Sequence, residues 1–138
     1  MGVDVAGLIG DYRRAVGLFG ECLVEIGHDQ WENPTPCVEW NVRSLVAHVI
    51  FGEALLAALF LGEEEGLPME VDPTILGPNP VATWRGTALA AFEVLKEESA
   101  LKSYYSHPNG DFIGETIVGF RVTDNPVSYT HLTLPTKA

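Results

Sequence analysis

Val5, Ile9, Tyr12, Val16, Phe19, Leu23 and Ile26 step alternately by four and three residues, the spacing of a single apolar seam along a long helix. Asp11, Arg13, Arg14, Glu21 and Glu25 fall mostly off that seam. Gly7, Gly10, Gly17 and Gly20 lower the intrinsic helicity of the segment, so packing has to hold it. Gly27-His28-Asp29 reads as its end, with glycine just past the C-cap.

Asn33-Pro34-Thr35-Pro36 excludes helix, because each proline drives its predecessor toward extended geometry. Asn41 is a good N-cap for a second helix, and Trp40 and Leu45 stand at the two positions of a hydrophobic staple. That helix is expected to run to about Leu61, followed by a long crossover loop from Gly62 to Pro78. Asn79-Pro80 starts a third helix, whose face comprises Trp84, Ala88, Ala91 and Leu95, broadened by Leu89 and Phe92. Pro108-Asn109-Gly110-Asp111 is a turn. A fourth helix is expected from about Ile113, with Ile117, Phe120 and Asp124 on one side and Arg121 beside them, up to Asn125-Pro126. No window before the last residues sustains the alternation of a strand. The expectation is an all-α domain over residues 1–125, an antiparallel four-helix bundle, with residues 126–138 outside it.

Charge narrows the partners. Eight basic residues against nineteen acidic ones leave a net charge of -11, which disfavours nucleic acid and anionic membrane surfaces. The longest apolar run, Ala54 to Leu61, is too short to span a bilayer. Asp4 with no early Lys or Arg gives no signal peptide, and Cys22 and Cys37 form no paired motif. A cytoplasmic protein acting on a small molecule is the expectation.

His48 follows Leu45 by three residues and precedes Gly52 and Leu56 by four and eight, so it shares the inward stripe of helix two. On spacing alone a lone inward histidine is more often a core residue with a polar partner than a metal ligand. Glu53 reads as a surface carboxylate ahead of any role behind His48, and His28 and His107 as exposed loop residues. Cys37 reads as a buried structural thiol, Trp31, Trp40 and Trp84 as packing anchors, and Glu63-Glu64-Glu65 as a solvated loop. No Gly-rich phosphate loop or nucleophile elbow is present.

The pattern Thr35-Pro36-Cys37-x-x-Trp40-x-Val42-x-x-Leu45-x-x-His48 resembles the DinB-like helical bundles, and within them the N-terminal domain of mycothiol-dependent maleylpyruvate isomerase. The resemblance covers roughly residues 5–125. It implies an up-down-down-up bundle with the crossover between helices two and three. It also implies that His48 is the first ligand of a divalent metal ion, zinc being the expected metal, with Asp124 from helix four as the second. The third, a histidine, is implied four residues beyond Asp124, where this chain has Ser128. The implied activity is isomerisation or group transfer through a low-molecular-weight thiol such as mycothiol. Pro126 to Thr136 resembles translated sequencing-adapter DNA, and His131 within it is rejected as a replacement ligand. Weak or absent metal binding and an inactive chain are therefore expected. The other reading is a non-catalytic helical binding or stress-associated domain in which His48 is structural.

Overall fold

The computed structural model describes residues 5–36, 40–63 and 71–122. Helix α1 spans Val5–Val24, α2 Val42–Leu61, α3 Pro80–Val94 and α4 Glu98–Lys102. Strands β1 (Tyr104–His107) and β2 (Gly110–Ile113) form a hairpin, after which residues 114–122 are helical (α5). A short 3-10 turn, Pro73–Leu76, precedes α3.

The seam of α1 is inside as its spacing requires: Tyr12, Val16, Phe19 and Leu23 are buried. α2 begins where Asn41 Oδ1 accepts the Ser44 N–H at 2.9 Å. It ends at Gly62, whose φ of 74° lets its N–H reach the carbonyls of Ala58 and Leu59. Asn79 caps α3 through the Ala82 N–H. The loop between α1 and α2 is closed by Val42 N–H to Asn33 C=O at 2.9 Å and Arg43 N–H to Trp31 C=O at 2.8 Å. Thr83 Oγ1 donates to Leu76 C=O at 2.8 Å and ties the 3-10 turn to α3.

Two adjoining clusters fill the interior. One gathers Tyr12, Val16, Leu56, Ala91, Leu101 and Ile117; the other gathers Phe19, Leu23, Val46, Val49, Ile50 and Leu76. Trp84 packs against both. Its ring lies so close to Gly20 that a Cβ there would come 2.3 Å from it. Gly10 and Gly17 meet nothing within 4 Å, so of these three glycines of α1 only Gly20 is required by contact.

The chain is mostly helical, and two expectations need correction. Strands were not expected after α3, yet Tyr104 pairs with Ile113 and His107 with Gly110 in an antiparallel hairpin. Each strand is only four residues long, too short for alternation to register. The signal present was Asn109-Gly110, a strong hairpin dipeptide. The hairpin is fastened to α2 by Tyr105 stacked on Phe60, with ring centres 4.6 Å apart. Leu89, assigned to the inward face of α3, is 62% exposed, because Ala88, Ala91 and Leu95 suffice to cover the core on that side.

Among the described residues, α2 is long and apolar enough by composition to cross a membrane, although no single uninterrupted apolar run in it is. Half of it is buried within the protein, and its buried Glu53 pairs with Arg121 of α5. Those are features of a core helix. Cys37, Glu64, Glu65, Asp124, Ser128, His131 and the segment 126–138 lie outside the described residues.

Candidate functional site

The residues that build the site come from the middle of α2, the hairpin and α5. His48 and Gly52 are one helical turn apart on α2, and both open onto a cavity of about 300 Å³. His107 and Asn109 line it from the hairpin, and Phe120 and Arg121 from α5. Most of the remaining wall is aliphatic or aromatic, including Phe51, Leu55 and Ile117. A few polar groups set on apolar walls are the usual composition of a small-molecule site.

His48 is half-buried, and its ring lies against Trp40 with ring centres 4.5 Å apart and planes inclined by 31°. A second depression, lined by Trp40, Ser44, Val71 and Pro73, also reaches His48. Trp40 thus packs on His48 and forms a wall of the second depression.

Beneath the cavity runs a charged network. Glu53, expected at the surface, has 0% of its area exposed. Its Oε1 receives Arg121 Nε at 2.9 Å and Nη2 at 2.8 Å, and its Oε2 accepts the hydroxyl of Tyr12. Arg121 Nη2 also donates to the Val49 carbonyl at 3.2 Å. The correction has a physical cause. A carboxylate inside an apolar helix is tolerated only when paired and hydrogen-bonded, and here α1 and α5 each supply a partner. The sequence did contain a signal, since Glu53 is the only charged residue between Arg43 and Glu63.

Arg121 reaches this network across Gly52. A Cβ at Gly52 would come 2.3 Å from Nη1 and 2.4 Å from Cζ. The glycine therefore provides the gap through which a guanidinium from α5 reaches a carboxylate on α2. Arg121 was expected beside Asp124; its described ion pair is with Glu53.

His107 also departs from expectation. It is half-buried, edge-on to Phe112 and Phe120 with ring centres 5.9 and 5.3 Å away. Its Nδ1 accepts the Asn109 backbone N–H at 3.1 Å. Burial, and secondarily the charge of Arg121, hold its pKa below the ordinary histidine value. Cys22, half-buried on α1, has its thiol pKa pushed up by burial and then by Glu25, which disfavours the thiolate. His28 is exposed, as expected.

Among the described residues no group of three His, Cys, Asp or Glu side chains converges as a metal centre requires. Those residues do not by themselves fit a metal ion, because the described lining of the cavity offers only His48 and His107 as metal-ligating side chains. The ligand assignment of Asp124 falls outside the described residues.

The architecture defines a mostly helical domain with a cavity between α2, the hairpin and α5. The chain belongs to the family of the mycothiol maleylpyruvate isomerase N-terminal domain, whose model matches residues 12–97. Similar proteins include uncharacterized proteins from two strains of Mycobacterium tuberculosis, each 28% identical over 113 residues. The match covers 82% of this chain and 58% of each relative, so the chain spans less than two thirds of their length. No solved structure gives a significant match.

Proposed function

We propose that this domain holds a small, largely apolar molecule in the His48 cavity and is the ligand-binding part of a thiol-dependent isomerase or transferase. One observation carries the reading. The histidine at the end of the family's sequence pattern opens onto an apolar cavity of about 300 Å³, where polar side chains from three elements meet. Membership in a family named for mycothiol and maleylpyruvate isomerase supports a low-molecular-weight thiol as co-reactant and an unsaturated or carbonyl compound as substrate.

Within this reading His48 and Asp124 are two protein ligands of a divalent ion, zinc being the first choice, and the complete fold is an antiparallel four-helix bundle. Metal analysis of a longer native protein, with the full length of its relatives, tests the ligand assignment. The expected result is about one ion per chain in the parent and loss of it in His48→Ala. Unchanged metal content in that variant removes His48 from the metal site.

The contact between Trp40 and His48 favours a second reading, in which the imidazole is a packing residue of a non-catalytic binding domain. Under that reading His48→Ala lowers stability and leaves metal content and turnover unchanged.

A further inference from the structure

His107 stands in the same cavity as His48 but comes from a part of the chain, the β1–β2 hairpin, that lies outside the family match at residues 12–97. Three features prepare its ring for one task. Its Nδ1 is used, since it accepts the Asn109 backbone N–H at 3.1 Å within the turn. That bond settles the tautomer of the neutral ring: the proton sits on Nε2, which is left as a donor. The ring is also braced, meeting both Phe112 and Phe120 in edge-to-face contacts, while those two phenylalanines meet each other with centres 5.1 Å apart.

We propose that His107 is a ligand-positioning residue of this cavity, its Nε2–H donating a hydrogen bond to an acceptor oxygen of a compact, mostly apolar ligand. The inference rests on the reading of this cavity as a small-molecule site. The surroundings suit the role. Burial and the neighbouring Arg121 disfavour protonation of the ring, so it acts as a neutral donor. Arg121, anchored to Glu53, adds positive potential at the same wall and favours a carboxylate or carbonyl oxygen over a cationic group. The apolar wall of Phe51, Leu55 and Phe120 takes the rest of the molecule. The hairpin thereby has a function: it carries His107, with Asn109, to a cavity whose other polar side chains, His48 and Arg121, come from helices.

Benzoate is a suitable probe, because its ring fits apolar walls and its carboxylate offers acceptors only. Toluene presents the same ring without an acceptor. Binding of each to the full chain and to its His107→Phe and His107→Gln variants is measured by NMR titration. Benzoate is expected to bind the parent chain and to weaken about tenfold in His107→Phe, the size of one lost hydrogen bond to a charged acceptor. It should stay within about threefold in His107→Gln, whose amide can donate from nearly the same place. Toluene should be unchanged throughout, within about twofold.

Equal benzoate binding by the parent and His107→Phe overturns the proposal. So does toluene affinity falling in step with benzoate, which would make His107 a packing residue. Toluene binding without benzoate binding removes the donor role and leaves the cavity reading intact, whereas binding of neither removes both.

Discussion

Arg121 lies over Gly52, so closely that a methyl group on the glycine would come 2.3 Å from its Nη1. The guanidinium can reach Glu53 only because α2 has no side chain at that point. Gly52→Ala should therefore displace Arg121 and loosen its pair with Glu53. We expect a loss of about 3 kcal/mol, within the range for a broken buried ion pair. The measurement is a urea denaturation midpoint with an unchanged slope. A midpoint within about 0.5 kcal/mol of the parent would show that α5 simply shifts aside.

Glu53 and Arg121 should behave as a unit. Removing one partner strands a buried charge, so Glu53→Leu and Arg121→Met are each expected to lose about 3–5 kcal/mol. The double variant Glu53→Leu/Arg121→Met replaces both charges with apolar groups and should recover more than half of the summed loss. Strictly additive losses would refute the coupling. Tyr12, which donates to the other oxygen of Glu53, is kept in all three chains, so the comparison isolates the pair.

Gly20 and Trp84 make the corresponding contact in the apolar half of the molecule. A Cβ at Gly20 would stand 2.3 Å from the indole, and the indole is wedged between both core clusters. Gly20→Ala should cost about 1–3 kcal/mol by overpacking, against a gain in helix propensity of about 1 kcal/mol. Gly17→Ala, which meets nothing within 4 Å, should show the gain alone. If the two variants shift the thermal midpoint equally, the Trp84 contact is not what requires glycine.

Acid should weaken the fold through His107. Its folded pKa is lowered by burial and then by Arg121, while the unfolded value is the ordinary one of about 6.5. Below about 6.5 the unfolded chain takes up a proton that the folded chain resists, so stability falls as pH falls. That contribution is complete above about 6.5 and is lost progressively toward the folded pKa. Urea midpoints of the parent and His107→Gln between about pH 8 and 5 read the difference, with the parent losing more below about 6.5. Parallel curves across that window would exclude His107 as the group responsible.

Periodicity located what depends on local chemistry. The seam of α1, the Asn41 and Asn79 caps and the end of α2 at Leu61 were legible because each is set by neighbours within one or two helical turns. The hairpin was missed because four-residue strands carry almost no pattern. Glu53 was misplaced because side-chain type alone puts a carboxylate outside. Only its isolation, with no other charged residue between Arg43 and Glu63, argued the other way.

His48 marks the boundary between the two kinds of knowledge. Its register on α2 and the family pattern that ends on it belong to the sequence, as do the acidic charge and the helical class. Tertiary structure alone decided that His107 shares its cavity, that Trp40 lies against it, and that Arg121 passes over Gly52 to neutralise Glu53. The ion pair joins residues 68 positions apart in the chain, and the cavity brings a hairpin against a helix. Local spacing carries no record of such pairings; they arise when burial forces each polar group to find a partner on another element.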